Sequence, residues 1–443
     1  MHTLEQLRSG ALAGARRLDL SANLHTLPPE VFDLADTLEV LNLSNNQLTS
    51  LPHDLPRLHR LKVIFCSDNP FTELPEVLGD CAALQQVGFK ACRIAAVPDC
   101  ALPPQLRWLI LTDNAIAELP HTLGQRPALQ KLMLAGNRLR HLPESLAQSH
   151  RLELLRLSAN QLATLPDWLG ALPRLSWLAL AGNPLGWPLP LHPSPARLPV
   201  VHWRELQVDA LLGEGASGHI YRVHHAAHPQ GLALKLFKGA VTSDGLPEYE
   251  QAASIAAGQH PALSTPCAEL VGHPQGARGL LLPLIDPCYF NLAGPPSLES
   301  CTRDVYPANL RIDVTTTLQL AGQIAVAVAH LHQRGILHGD LYAHNILWNP
   351  ATAQALLSDF GAATLLPEAA NPLRSALQAL EVRAFGCLLE ELVGLVSAGS
   401  APIAEQGATQ KTALAELRTI THACLLPQPS QRPTMADVVQ LLA

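Results

Sequence analysis

Leucine recurs at fixed intervals through the first two fifths of the chain. Residues 38–48 read L-E-V-L-N-L-S-N-N-Q-L, with apolar residues at alternate positions ahead of a polar turn. Similar units begin near residues 15, 38, 61, 84, 106, 129, 152 and 175, so the period is 23 residues with one interval of 22. The alternation predicts one short strand per unit. The constant period predicts that each unit stacks on its neighbours to build a shared core.

A polar residue occupies the same place after each of these strands. Where this residue is asparagine, its side-chain amide can bond backbone groups at the bend that would otherwise have no partner. The residues at this place are Asn23, Asn46, Asn69, Cys92, Asn114, Asn137, Asn160 and Asn183. The resulting pattern, L-x-x-L-x-L-x-x-N-x-L, resembles that of leucine-rich repeat proteins. This resemblance implies an α/β solenoid, or horseshoe, over residues 1–190, with a parallel sheet on its concave face.

Large apolar side chains occupy outward positions of the predicted repeat strands. They are Phe65, Trp108, Ile110, Met133, Leu154 and Trp177. Two interpretations stay open: ordinary scatter of apolar surface residues, or a contiguous patch that binds a protein partner or substrate. A patch of this kind could also rest on the second domain of the chain.

Proline marks the end of the repeats. Between residues 183 and 203 there are six prolines, at positions 184, 188, 190, 193, 195 and 199. Because proline removes backbone donors and favours extended backbone, this density predicts a domain boundary, with a linker at residues 191–204. Trp187 is a candidate to cap the last repeat. The second domain then spans residues 205–443.

The second domain opens with a glycine-rich stretch between two strand patterns. Residues 212–220 read L-G-E-G-A-S-G-H-I, and residues 232–235 read L-A-L-K. Glycine allows the backbone to approach a phosphate closely. A dinucleotide-binding fold would need a helix after the glycines, whereas a strand pattern follows here. The stretch therefore predicts a phosphate-covering hairpin, with Lys235 on the next strand.

Two further motifs carry carboxylates at a spacing suited to phosphoryl transfer. Residues 338–345 read H-G-D-L-Y-A-H-N, and residues 358–361 read S-D-F-G. One carboxylate is needed to orient and deprotonate an attacking hydroxyl, and a second to hold Mg²⁺, which prefers oxygen ligands. Before them, residues 315–333 are predicted to form an amphipathic helix, capped by Thr315 or Thr316 and stopped by Gly335.

Together these motifs resemble the protein kinase family over residues 206–443. The resemblance extends to L-E-V-R-A-F-G at residues 380–386, with glutamate in place of aspartate, and to R-P-T at residues 432–434. It implies an α+β bilobal domain that uses ATP and Mg²⁺ to phosphorylate a protein serine or threonine.

The resemblance also implies a role for each site residue. Asp340 is the expected base, and Asn345 and Asp359 are the expected Mg²⁺ ligands. Lys235 is expected to hold the α- and β-phosphates, paired with Glu250 in preference to Glu248. The residues expected to bind or cover the nucleotide are Leu212, Gly213, Glu214, Gly215, Ala216, Ser217, Gly218, His219, Ile220 and Lys235.

The catalytic-loop sequence departs from that of the family at two positions. Gly339 replaces the arginine of H-R-D, which pairs with a phosphate on the activation loop. Tyr342 stands where serine/threonine kinases usually carry a lysine, and His344 is a candidate to replace it in part. Because H-G-D-L also occurs in aminoglycoside- and choline-type kinases, a small-molecule kinase stays open as an alternative. A pseudokinase scaffold is the third possibility.

The activation segment is short. Pro367 and Glu368 resemble a remnant of the A-P-E motif, which leaves eight residues between Asp359 and Glu368. On this interpretation Arg432 is the expected ion-pair partner of Glu368. So short a segment, without the H-R-D arginine, predicts activity that does not depend on phosphorylation of the loop.

Composition and charge bear on the folded state, the partners and the location of the chain. The chain of 443 residues is 48% hydrophobic and 15% charged, which indicates folded domains. Its net charge of −7 disfavours nucleic acid as the main partner. Nine scattered cysteines fit a reducing, cytoplasmic location. We expect no signal peptide, and no membrane span, because the apolar run around residues 324–329 is short and flanked by Gln323 and His330.

Overall fold

A computed structural model describes residues 1–186, 198–215, 217–238, 241–242, 244–399 and 408–443. These residues form two compact units: Met1–Leu172 with Asn183–Gly186, and Pro173–Gly182 with Trp187–Ala443. The division differs from a boundary at residue 190, because Pro173–Gly182, which has the sequence of the eighth repeat, belongs to the second unit. Much of the predicted linker, and with it Trp187, lies outside the described residues.

The first unit consists of stacked repeats. A short helix α1 (Leu4–Arg8) precedes one strand per repeat, and each strand pairs in parallel with the next. The strands are β1 (Arg17–Asp19), β2 (Val40–Asn42), β3 (Val63–Phe65), β4 (Gln86–Gly88), β5 (Trp108–Ile110), β6 (Lys131–Met133) and β7 (Leu154–Arg156). The chain returns through short 3-10 turns, such as His121–Gln125 and Glu144–Gln148. The predicted leucine-rich repeat solenoid is confirmed.

The inner asparagines bond successive repeats together. Asn46 Nδ2 donates to the carbonyl oxygens of Leu20 (2.9 Å) and Leu43 (2.8 Å), and its Oδ1 accepts from the backbone N–H of Leu24. In the fourth repeat, Cys92 Sγ donates to the carbonyl oxygen of Cys66 in the same way. These side chains satisfy buried backbone groups that the turns leave without backbone partners.

The outward strand positions divide into two groups. Phe65, Trp108, Ile110 and Met133 are half-buried, and Lys131 Nζ lies 4.2 Å from the centroid of the Trp108 ring. In contrast, Leu154 is 3% exposed and Trp177 is 1% exposed. The interpretation of all six residues as one exposed patch is therefore wrong for Leu154 and Trp177. Trp177 is buried against the catalytic loop of its own unit, as described below.

The second unit begins with the eighth-repeat strand β8 (Trp177–Ala179) and continues with a six-stranded sheet. The strands of this sheet are β9 (Val200–His202), β10 (Gln207–Glu214), β11 (Gly218–His225), β12 (His228–Phe237), β13 (Ala268–Val271) and β14 (Gly279–Pro283). Their order across the sheet is β10-β11-β12-β14-β13-β9. Val223, Leu234 and Leu281 form its buried centre. Helix α2 (Pro247–Ala257) follows β12 in the chain.

A mainly helical part follows the sheet. Its elements are β15 (Phe290–Asn291), α3 (Val314–Gln333), β16 (Ile336–Leu337), β17 (Ile346–Asn349), β18 (Gln354–Leu357), β19 (Thr364–Leu365), α4 (Pro372–Gly399), α5 (Ala408–Cys424) and α6 (Met435–Leu442). The short strands pair β15 with β17, β17 with β18, and β16 with β19. A mixed sheet followed by helices is the kinase-like architecture that the sequence predicts.

Helix α3 begins earlier than its sequence suggests. Asp313, and not Thr315 or Thr316, is the N-cap: its carboxylate accepts from the backbone N–H of Thr316 at 2.7 Å. A carboxylate also interacts favourably with the positive end of the helix. The helix ends at Gln333, two residues before Gly335, whose φ is +72°.

Helix α3 also bears on the expectation that the chain has no membrane span. Among the described residues, α3 is long and apolar enough to cross a membrane. However, more than half of its apolar window is buried inside the protein, which is usual for a core helix of a folded domain. Length and composition alone are weak grounds for a membrane span.

Candidate active site

A cleft of about 350 Å³ separates the sheet of the second unit from its helical part. Its lining residues include Gly215, Ser217, Gly218, Ile220, Lys235, Glu250, His344, Asn345, Asp359 and Gly361. Nucleotide-sized ligands bind in cavities of this order. The structure thus brings together residues that are more than 140 positions apart in the chain.

The glycine-rich stretch forms a hairpin between β10 and β11. The backbone N–H of Gly215 donates to the carbonyl oxygen of Gly218 at 2.9 Å. A Cβ at Gly218 would lie 2.3 Å from the carbonyl oxygen of Leu236, so any side chain would force the two strands apart. A Cβ at Gly213 or Gly215 would meet nothing within 4 Å, which leaves these positions open to a close ligand.

Not every residue of the predicted nucleotide-binding stretch lines the cleft. The residues of this stretch that line the cleft are Gly215, Ser217, Gly218 and Ile220. The other described residues belong to the hairpin but do not line the cleft; they are Leu212, Gly213, Glu214 and His219. Ala216 lies outside the described residues.

Lys235 and Glu250 form an ion pair inside the cleft. Lys235 Nζ donates to Glu250 Oε1, and the glutamate is 4% exposed. Glu248 is exposed, so the structure places Glu250 against the lysine, as the sequence analysis preferred. Burial raises the pKa of the Glu250 carboxyl, and the Lys235 ammonium opposes that change. The pair fixes the ammonium where it borders the cleft.

Asp340 and Asn345 are joined within the catalytic loop. Asn345 Nδ2 donates to Asp340 Oδ2 at 2.8 Å and to the Asp340 carbonyl oxygen at 2.9 Å. The backbone N–H of Asp340 in turn donates to His338 Nδ1 at 3.3 Å. These bonds fix the loop at the base of the cleft. Asp340 itself is partly exposed and is not among the residues that line the cleft.

Asp359 occupies a left-handed turn at the cleft. Its φ is +60°, and its Oδ1 accepts from the backbone N–H of Gly361 at 3.0 Å. Such local side-chain bonds allow aspartate to adopt this conformation. The next residue, Phe360, is 2% exposed, borders the same cleft, and has its ring 5.4 Å from that of His338.

Sequence reasoning missed Asp304, which lies beside the cleft residue His344. Asp304 Oδ1 bonds His344 Nδ1 at 2.7 Å, and its Oδ2 accepts from the backbone N–H of the same histidine at 3.1 Å. Burial alone would lower the pKa of His344, but the hydrogen bond and charge of Asp304 raise it above its usual value. Asp304 lies in an irregular stretch 40 residues earlier, where no motif marks it.

The glutamate that replaces the family aspartate supports the catalytic loop. Glu381 Oε1 accepts from the backbone N–H of Gly339 at 2.7 Å, and its Oε2 bonds His332 Nε2 at 2.8 Å. Burial would raise the pKa of Glu381, but the His332 bond and charge, the charge of His338 and the Gly339 N–H hold it below its usual value.

The predicted ion pair between Glu368 and Arg432 is wrong. Arg432 donates to the backbone carbonyl oxygens of Leu426 (2.8 Å), Ala379 (2.9 Å) and Pro173 (2.9 Å), whereas Glu368 is exposed. Burial lowers the pKa of the guanidinium to about 10. The carbonyl oxygens satisfy its donors without a buried carboxylate.

The donor set fits Mg²⁺ and a polyphosphate. The Asp359 carboxylate and the Asn345 side chain border one cleft and offer the oxygen ligands that Mg²⁺ prefers. The Lys235 ammonium provides a fixed positive charge in the same cleft, and the open backbone at Gly215 allows a phosphate to approach. The individual catalytic and ligand roles stay predictions.

Comparisons with known proteins agree with both halves of this description. Residues 36–87 match the family model "Leucine Rich repeats (2 copies)", and residues 104–162 and 127–185 match "Leucine rich repeat". Residues 297–384 match "Protein kinase domain". That match covers the catalytic loop and Asp359, but not the glycine-rich hairpin or Lys235.

The curated relatives include a protein that is named for leucine-rich repeats and a kinase. It is an inactive leucine-rich repeat receptor-like serine/threonine-protein kinase from Arabidopsis thaliana, 26% identical over 167 residues. The alignment covers 29% of this chain and 26% of the relative. The chain therefore spans about a quarter of the length of this relative.

Proposed function

Since this chain combines leucine-rich repeats with a protein kinase domain, we propose that it is an ATP-dependent protein kinase specific for serine or threonine. The observation that carries the proposal is the cleft in which the Lys235–Glu250 pair, Asn345 and Asp359 meet. We propose further that the repeats of the first unit capture a protein substrate or regulator, and that the protein is cytoplasmic.

The proposed mechanism assigns one task to each part of the site. Bound Mg·ATP supplies the phosphoryl group. Asp340 orients the acceptor hydroxyl and takes its proton on the carboxylate, while Asn345 holds that carboxylate through the 2.8 Å hydrogen bond. Lys235, fixed by Glu250, holds phosphate oxygens, and Asp359 with Asn345 provides the Mg²⁺ ligands. Catalysis by such a site depends on positioning and charge stabilisation.

Two other functions have support of their own. The H-G-D-L sequence and the short activation segment favour a small-molecule kinase of the aminoglycoside or choline type. The relative from Arabidopsis is named inactive, which favours a scaffold without activity. Against the scaffold, Lys235, Asp340, Asn345 and Asp359 are all present.

A three-armed transfer assay separates these functions. The full chain is incubated with Mg²⁺ and γ-³²P-labelled ATP, together with casein and histone, with a cell lysate, or with kanamycin and choline. Label on protein phosphoserine or phosphothreonine, absent with Lys235→Met, supports the proposal. Label on kanamycin or choline alone contradicts it and favours a small-molecule kinase. No label in any arm, with calorimetry showing intact Mg·ATP binding, contradicts it and favours a scaffold.

A further inference from the structure

The eighth-repeat segment Pro173–Gly182 packs on the catalytic machinery of the second unit. The indole ring of Trp177 stacks on the phenol ring of Tyr342 in the catalytic loop, with centroids 4.2 Å apart and planes 7° apart. Trp177 Nε1 donates to the carbonyl oxygen of Leu341 at 2.9 Å. Leu341 and Tyr342 directly follow Asp340, so one side chain holds the loop beside the predicted base by a ring stack and a hydrogen bond.

The same segment also bonds the activation segment. The backbone N–H of Leu180 donates to Thr364 Oγ1 at 3.1 Å, and Thr364 is 3% exposed. Thr364 lies on β19, which pairs with β16, the strand that leads into the catalytic loop. The segment therefore connects the two stretches that must be ordered for phosphoryl transfer.

The replacement of the H-R-D arginine by Gly339 permits this packing. Gly339 has a φ of +74°, and a Cβ there would lie 2.5 Å from the Leu178 carbonyl oxygen and 2.7 Å from the Ala362 carbonyl oxygen. An arginine at this position would displace one of these two backbones. The residue that would bind a loop phosphate is thus absent at the point where the repeat segment approaches.

Two buried arginines fix the other end of the segment. Arg383 donates to Ser176 Oγ at 2.8 Å, and Arg432 donates to the Pro173 carbonyl oxygen at 2.9 Å. Both arginines are less than 10% exposed. Hydrogen bonds from buried charged groups are stronger than neutral ones and costly to leave unmade.

We propose that Pro173–Gly182 is a positioning element that holds the catalytic loop in place of a phosphorylated activation loop. This inference rests on the proposed kinase function. A blocking role fits less well, because the Lys235–Glu250 pair and the Asp340–Asn345 bond are formed while the segment is packed in place. The segment acts through Tyr342, Leu341 and Thr364 on the position of Asp340.

The test compares three variants of the full chain. Trp177→Ala removes the ring stack and the hydrogen bond to Leu341, whereas Trp177→Phe keeps a ring and removes only the bond. Trp168→Ala is the matched control, because Trp168 is a half-buried tryptophan nine residues earlier in the first unit. Melting temperatures establish whether each variant folds. If Trp177→Ala does not fold, the comparison of Trp177→Phe with wild type is the test.

The measurements are kcat and the KM for ATP in transfer to casein, and hydrogen exchange of peptides that cover residues 336–345. We expect Trp177→Ala to lower kcat by about tenfold or more, because Asp340 would no longer be held in its catalytic position. The KM for ATP should stay unchanged. Trp177→Phe should recover part of that loss. Exchange in residues 336–345 should rise in Trp177→Ala but not in Trp168→Ala.

Each remaining outcome overturns one specific statement. A kcat that rises in folded Trp177→Ala, or stays equal to that of Trp168→Ala, overturns the positioning role. A parallel loss in kcat and melting temperature in both alanine variants also overturns it. If the wild type transfers no phosphate to any acceptor, the proposed function fails, and the exchange data alone decide whether the segment orders the loop.

Discussion

Glu381 Oε1 lies 2.7 Å from the backbone nitrogen of Gly339, and the same carboxylate bonds His332 through its other oxygen. A glutamate on α4 thereby holds the start of the catalytic loop against the end of α3. The carboxylate is 1% exposed, so both partners would be left in a dry environment without it.

We predict that Glu381→Ala is strongly destabilising. Removing one partner of a buried ionic network typically costs about 3–5 kcal/mol, because the remaining groups stay buried without partners. Urea unfolding measures the change in the free energy of unfolding, from the transition of the second unit. Glu390→Ala, on the exposed side of the same helix, is the control and should change little. Equal effects of the two substitutions would contradict the structural role of Glu381.

The repeats and the catalytic motifs could be predicted from the sequence because their signals are local. Fixed periods and fixed spacings mark the strands, the inner asparagines and the Asp340–Asn345 pair. Contacts between distant parts of the chain carry no such signal. Trp177 stacks on Tyr342 from 165 positions away, and Arg432 satisfies its donors with carbonyl oxygens where a carboxylate was predicted. Asp304 was missed for the same reason.

The outer face of the repeats should tolerate substitution better than the core. Trp108 is half-buried, whereas its neighbour Leu109 is 0% exposed. We expect Leu109→Ala to cost about 2–5 kcal/mol, through lost burial and the resulting cavity. Trp108→Ser should cost only about 1 kcal/mol, mainly the contact with Lys131. Thermal melting of both variants checks this, and a larger loss for Trp108→Ser would contradict the assignment of its outward position.

Stability should depend on pH through the Asp304–His344 pair. The pKa of His344 is raised in the folded state. The pair therefore makes its full contribution to the stability of the fold below the unfolded pKa of about 6.5. The contribution is lost as the pH rises through the raised pKa. We therefore expect Asp304→Asn to lower the melting temperature more at about pH 5.5 than at about pH 8.

A second variant separates the charge effect from the backbone hydrogen bond. His344→Gln keeps the backbone N–H that donates to Asp304 but removes the titrating ring. In a His344→Gln background, Asp304→Asn should therefore lower the melting temperature by the same amount at both pH values. A stability difference between Asp304→Asn and wild type that is the same at both pH values would show that the ion pair is absent in solution.

Activity should not require phosphorylation of the activation segment. Between Gly361 and Glu381 the hydroxyl residues are Thr364 and Ser375. Thr364 is buried and bonded to the Leu180 N–H, whereas Ser375 is exposed. Phosphatase-treated wild type and Ser375→Ala should both retain the activity of untreated protein. A loss of about tenfold in either, equivalent to about 1.4 kcal/mol in the barrier, would require a phosphate-binding cation near this segment.

The assignment of Asp340 as the catalytic base is the central claim, and single-turnover transfer of γ-phosphate from ATP to protein tests it most directly. Asp340→Asn nearly preserves the shape of the side chain, so Mg·ATP affinity measured by calorimetry should stay within a few fold, about 1 kcal/mol. The transfer rate should fall by at least about a hundredfold, as expected when a general base is removed. An unchanged single-turnover rate in Asp340→Asn, with nucleotide binding intact, would contradict the account.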